Sequence, residues 1–177
     1  MPQNFNELTY VVGTSETVEQ MMRVPAMAPF DDKAIAFLNA LSVKLLKTGK
    51  EYSDVATFAF WCRKAALMQE KAKYDANELR LGRGVVFHST PSNVAVNFAF
   101  SFAAGLLAGN PNIVRLPAKD FAQVDIICAA MRDTLEQMPD MKPYVVMVKF
   151  PPVKEIADWF SAICAARVVW GLSLIHI

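Results

Sequence analysis

The stretch from Gly84 to Lys119 constrains this chain most. Val85 to His88 is a short run of β-branched and aromatic residues and reads as a strand, with Gly84 freeing the chain to turn before it. Thr90-Pro91-Ser92-Asn93 follows as a turn: Pro91 fixes φ, and Ser92 or Asn93 can cap a helix. Val94 to Ala108 is apolar apart from Asn97, Ser101 and Gly105, which recur every fourth position. They form one small, polar stripe on a helix that must otherwise be buried, so something should approach the stripe closely. Gly109-Asn110 stops that helix, and Ile113-Val114-Arg115 is the next strand. Strand, helix and strand make a βαβ unit whose crossover should be right-handed.

The same alternation continues downstream. Lys119 to Gln137 is amphipathic, with Phe121, Val124, Ile127, Met131 and Leu135 on one face, and Pro139 ends it. Tyr144 to Phe150 reads as a strand, Pro151-Pro152 breaks it, and Val153, Ile156, Phe160 and Ile163 mark another helix. Arg167 to Trp170 is a further strand, ending in Gly171. This order predicts an α/β fold with a doubly wound parallel sheet. Upstream, residues 1–30 read as a strand or irregular lead with a short helix near Glu16 to Met22. Asp31-Asp32 caps a helix to about Lys47, with Ile35, Leu38, Leu41 and Leu45 on one face. Ser53 and Asp54 cap another to about Tyr74, burying Val55, Phe58, Trp61, Cys62, Ala65 and Met68. Residues 1–80 are thus a helical part, layered on a βαβ part (81–171) of the same domain.

Composition removes several function classes. An apolar fraction of 54% with 20% charged residues belongs to a globular chain. A net charge of +1 gives no reason to expect nucleic acid or an acidic membrane surface as a partner. The longest near-apolar run, Val94 to Ala108, is too short to span a bilayer. No basic segment followed by an apolar one opens the chain, so no secretory signal is visible. The three cysteines, Cys62, Cys128 and Cys164, lie far apart in apolar helical patterns and read as free thiols in a reducing, cytoplasmic compartment. The two histidines, His88 and His176, make no metal spacing with them, so no metal is expected.

Ligands of an open parallel sheet bind beyond the carboxyl ends of its strands. Here those ends are Ser89 to Asn93 and Arg115 to Lys119, each opening a helix. Two helix N-termini and two cations favour a phosphate-bearing ligand. Taken alone, Asn93 is a cap or turn residue, and Arg115 and Lys119 are a solvated pair. A cation in a helix's first turn nonetheless opposes the macrodipole and needs a reason. His88 reads as a packed, hydrogen-bonded strand histidine without a visible partner for base work. Trp61-Cys-Arg-Lys64 and the Phe98, Phe100, Phe102 cluster read as core packing rather than a lipid-chain pocket.

Six segments, in order, carry a family resemblance: Phe60-Trp-Cys-Arg-Lys-Ala65, Gly82-Arg-Gly-Val-Val-Phe-His88, Pro91-Ser-Asn-Val94, Leu106-Leu-Ala-Gly-Asn110, Ile113-Val-Arg-Leu-Pro117 and Val168-Val-Trp-Gly171. The chain resembles the aldehyde dehydrogenase superfamily, whose corresponding turn reads Pro-Trp-Asn-Phe-Pro. It is more closely similar to the acyl-CoA reductase branch of bacterial bioluminescence, the LuxC-like fatty acid reductases. The resemblance covers nearly the whole chain to Gly171. It implies a Rossmann-like fold of the aldehyde dehydrogenase type with an α-helical N-terminal layer. The implied activity is NADPH-dependent reduction of a fatty acyl-CoA or acyl-protein thioester to the aldehyde, the acyl group moving to a cysteine before hydride releases it.

By the same resemblance Asn93 donates its amide to the developing oxyanion. Thr90, Pro91 and Ser92 line the cofactor, Arg115, Pro117 and Lys119 hold its adenosine end, and Gly171 begins the pyrophosphate turn. Position 119 is often Glu in NAD-dependent relatives, where it contacts the adenosine ribose. A lysine there can instead pair with a 2′-phosphate, hence NADPH. The superfamily's lysine before the proline is Leu116 here, and strand alternation points Arg115 the other way. His88 could position Asn93. The family's nucleophilic cysteine and thioester-binding domain lie beyond Gly171, so Cys62, Cys128 and Cys164 are rejected as nucleophiles. The chain is expected to be an N-terminal fragment, inactive alone, of an oligomeric parent. Leu172-Ser-Leu-Ile-His-Ile177 departs from the family pattern and is expected to be a non-native tail. Two alternatives stand beside this reading. An NAD-dependent aldehyde dehydrogenase would carry Glu at position 119 and Pro at Ala95. A non-catalytic nucleotide-binding or scaffold protein would share the fold alone.

Overall fold

Val145 to Lys149 reads Val-Val-Met-Val-Lys, and all but the lysine are buried. A strand covered on both faces needs such a continuous apolar run, and this one lies inside the sheet. The computed structural model describes residues 5–74 and 79–171; the expected tail, 172–177, lies outside them. The five strands are β1 (Thr9–Val12), β2 (Val86–Ser89), β3 (Asn112–Arg115), β4 (Val145–Lys149) and β5 (Ala166–Val169). Their order is β1-β4-β3-β2-β5. Strands β2 to β5 run parallel, with Ser89 opposite both Arg115 and Val169. Strand β1 runs antiparallel to β4, so the sheet departs from the all-parallel expectation at one edge.

The helices are α1 (Ser15–Met21), α2 (Asp32–Thr48), α3 (Ser53–Trp61), α4 (Lys64–Lys73), α5 (Asn97–Leu107), α6 (Ala122–Gln137) and α7 (Lys154–Ile163), with a 3-10 helix at Pro139–Tyr144. They fall on both faces of the sheet, as double winding requires. One core joins α2, α3, α5 and α6 to Val114, Val145 and Met147. In it Phe37 meets Phe102 edge-on, with centroids 6.3 Å apart, and Phe58 meets Phe100 at 5.0 Å. The other core joins α1 and α7 to Phe87, Ile113, Val146 and Val148, with Phe87 and Phe160 at 5.2 Å. Alternate β4 residues enter opposite cores, as the two-residue period of a strand demands.

Three boundaries differ from the sequence reading. The helix expected from Ser53 to Tyr74 breaks at Cys62-Arg63, because Asn39 of α2 accepts the Lys64 amide at 2.9 Å and restarts it as α4. Neither Ser53 nor Asp54 is its cap residue; that position is Tyr52. Helix α5 begins at Asn97 instead of Val94, with no side-chain cap, so Asn93 and Ser92 are loop residues. Helix α6 begins at Ala122, so Lys119 lies before its first turn and meets no macrodipole penalty. No helix among the described residues is long and apolar enough to cross a membrane.

Gly109 closes α5 at φ +86°, and a Cβ there would sit 2.0 Å from the Met27 carbonyl oxygen. Left-handed strain and the clash act together, so Gly109→Ala should destabilise the fold by about 2–4 kcal/mol. Urea unfolding measures this, and a change under about 0.5 kcal/mol, the size of an ordinary surface substitution, would contradict the packing described.

Candidate functional site

The chain lays down β2, β3 and β4 in one direction, then crosses back to place β5 on the far side of β2. The switch point therefore lies between β2 and β5, and ligands of open sheets bind beyond the carboxyl ends of such a pair. Thr90 follows β2 there and Trp170-Gly171 follows β5. The Trp170 amide donates to Ser89 O at 3.0 Å, and Thr90 Oγ1 donates to Arg115 O at 2.7 Å, tying three strand ends together.

A cavity of about 490 Å³ opens at this place. Of the residues expected from the sequence, Thr90, Pro91, Ser92, Asn93, Arg115 and Gly171 line it together. Pro117, which is buried, and Lys119, which is exposed, do not. Leu116, Ala118, Pro152 and Trp170 also line it and were missed. The available signals were slight: Trp170 adjoins Gly171, and Pro152 read only as a strand breaker.

Asn93 is exposed, and its amide makes no hydrogen bond among the described residues, so it is a free donor. Arg115 donates from Nη2 to Phe150 O at 3.1 Å, and its guanidinium lies 4.4 Å from the Phe150 ring centroid. No carboxylate pairs with it among the described residues. Burial, and then the like charge of Arg167, hold its pKa below the ordinary arginine value. Gly171, at φ +139°, has nothing among the described residues within 4 Å of where a side chain would begin. The Ser92 hydroxyl, a free amide, an uncompensated cation and open backbone are a donor set suited to a phosphate-bearing ligand, Thr90 having spent its proton on Arg115 O.

The small stripe of α5 faces the sheet. Ser101 Oγ lies 2.7 Å from His88 Nδ1, and Asn112 Oδ1 lies 2.8 Å from His88 Nε2. A Cβ on Gly105 would stand 2.0 Å from Asn112 Oδ1, which explains the missing side chain. His88 contacts neither Asn93 nor the cavity, so it does not position Asn93 directly. Beside it runs an apolar trough of about 500 Å³, whose walls include Trp61, Phe100, Ala104, Val168 and Trp170. Phe98 and Phe102 are core, as their pattern suggested, but Trp61 and Phe100 are only partly buried and face this trough.

None of the cysteines lines the cavity. Burial pushes the Cys62 and Cys128 thiols far up, Cys128 to about 12. Cys164 is half-buried, and its thiol lies 3.3 Å from Ser161 O. A mild alkylating reagent at pH 7.5 should label Cys164 alone in the folded chain, with Cys62 and Cys128 reacting only after denaturant is added. Mass spectrometry of the digest reads this directly.

Burial also lowers the His88 pKa below its ordinary 6.5. The unfolded chain then binds a proton that the folded chain refuses. The stability due to neutral His88 is complete above about pH 6.5 and falls as the pH drops toward the lowered value. Melting temperature should decline below about pH 6.5, and His88→Gln should flatten that slope.

A family model described as acyl-CoA reductase (LuxC) matches residues 19–174, a range that includes the whole cavity lining. No curated protein and no solved structure matches the chain.

Proposed function

The chain belongs to the acyl-CoA reductase (LuxC) family, and from that premise we propose that it supplies the cofactor-binding half of an NADPH-dependent reductase. The reaction takes a fatty acyl thioester, on CoA or on a carrier protein, to the aldehyde. The observation that carries the reading is the cavity at the β2–β5 switch point, where Arg115 lacks a carboxylate and Asn93 offers an unused amide.

NADPH, when bound, supplies the hydride. The chain's own residues bind and orient. Arg115, with Ser92 beside it, offers charge and a hydroxyl donor to phosphate oxygens, while Thr90, whose hydroxyl proton is committed to Arg115 O, lines the site and fixes the turn. Gly171, at a positive φ and with open space beside it among the described residues, would leave its backbone accessible to a pyrophosphate. Lys119, exposed in the loop after β3, would be the residue to pair with the 2′-phosphate that distinguishes NADPH from NADH. Asn93 sits on a turn held by the Thr90–Arg115 bond and donates to the carbonyl oxygen as negative charge gathers there. The nucleophilic cysteine is none of Cys62, Cys128 or Cys164, since two are buried and protonated and the third lies outside the cavity.

Titration of the chain with NADPH and NADH tests the cofactor assignment. Lys119→Glu should weaken NADPH by about 1 kcal/mol, roughly fivefold, and spare NADH. Equal losses for both nucleotides would defeat the assignment. In the reductase, Asn93→Ala should lower kcat by about 10²–10³-fold and leave NADPH affinity within about twofold. A loss of affinity equal to the loss of rate would make Asn93 a cofactor ligand instead.

A further inference from the structure

One polar chain inside the molecule has no part in the function just proposed. Its members are among the few buried polar side chains of the protein: Ser101 is 4% exposed, His88 1% and Asn112 0%. The direction of each hydrogen bond in it follows from the one before. Asn112 Nδ2 donates to Asn110 O at 2.7 Å, which leaves Oδ1 facing His88 Nε2 at 2.8 Å. An amide oxygen can only accept, so Nε2 carries the imidazole proton. Burial favours the neutral ring, so Nδ1 is bare and accepts a hydrogen bond from the Ser101 hydroxyl across 2.7 Å. With that proton committed, Ser101 Oγ can only accept. The donor it accepts from is the indole N–H of Trp170, at 3.0 Å.

Trp170 is 47% exposed, and an indole so placed would ordinarily sample several rotamers. Among the described residues it is also the one that lines both the polar cavity and the apolar trough. Its backbone is fixed by the bond to Ser89, so the Ser101 bond is the polar restraint left on the ring.

We infer that His88 and Ser101 are positioning residues: through this chain they hold the Trp170 indole as the partition between the polar cavity and the apolar trough. Ser101 sets the ring directly. His88 acts one step back, by fixing which way the serine proton points. Asn112 sets the tautomer, and Gly105 leaves room for Asn112. Where the polar cavity takes NADPH, the indole becomes a wall of that ligand's site, a consequence that rests on the proposed function.

Solvent exchange of the Trp170 indole N–H, followed in the ¹⁵N-labelled chain and assigned with Trp170→Phe, tests the inference without any ligand. In the parent chain the signal should exchange more slowly than free indole. Ser101→Ala should speed it by about fivefold to tenfold, the worth of one hydrogen bond, and Ser101→Thr, which keeps the hydroxyl, should restore most of the protection. Exchange at the free-indole rate in the parent chain, which needs no variant to fold, would overturn the inference. So would an unchanged rate in Ser101→Ala. A titration with NADPH gives the second arm. Ser101→Ala and Trp170→Phe should each weaken binding, and the double variant should bind no worse than the weaker single one, because both remove the same restraint. Additive losses would separate the serine from the indole and overturn the inference. If NADPH binds no form of the chain, the cofactor assignment falls, while the exchange rates still decide whether Ser101 holds Trp170.

Discussion

Helix α5 can lie against the sheet only because residue 105 has no side chain. Asn112 and His88 rise from adjacent strands to occupy the place where a Cβ would stand. Much of the rest follows from that seating. The apolar residues of α5 reach Phe37 of α2 and Phe58 of α3 across the layer, so the N-terminal helices find their purchase through it. The loop from Thr90 to Val96 is brought over the strand ends because the helix it feeds is pinned in depth. A buried polar group is tolerable only when its partners are complete, and here they are: among the described residues no buried side-chain polar atom is left unpaired.

The electrostatics of the switch point are arranged differently. Arg115 and Arg167 stand on one face of the sheet, over the rings of Phe150 and Phe87, without carboxylates. Aromatic faces offset part of the cost of gathering like charges and do so without neutralising them. An incoming anion would therefore meet charge already in place, and no ion pair would have to be broken first.

The elements with strong periodicity were legible in the sequence. Helices α2 and α6 bury the residues their spacing picked out, except Phe121, which precedes α6 and is half-buried, and Asp31 caps α2 by accepting the Lys33 amide. The stripe Asn97, Ser101, Gly105 announced a close approach, though not that His88 and Asn112 would be what approaches. What stayed hidden depends on contacts between distant residues. The break at Cys62-Arg63 needs Asn39, which no local pattern reveals. Val94 to Val96 precede the helix: Val96 is buried but Val94 is exposed, so their apolar character is not a helical signal. At the site, the turn at Thr90 to Asn93 and the ends of β3 and β5 could be named in advance. Trp170 could not be assigned a duty, because its partner Ser101 lies on another element.

Strand β1 has a consequence for the order of assembly. Thr9 pairs with Lys149 and Tyr10 with Val148, so β1 finds its partner only after β2, β3 and β4 have been synthesised. Every other pairing joins strands nearer in sequence, the longest being β2 with β5. Closing so long a loop is slow, and an unpaired strand is an invitation to foreign edges in the meantime. On the ribosome, β2, β3 and β4 can form a nucleus by successive crossovers while β1 waits. The antiparallel edge would then be the last seam to close on that side of the sheet and the first to open, so chaperone binding or proteolysis of a nascent chain should concentrate at its amino-terminal segment.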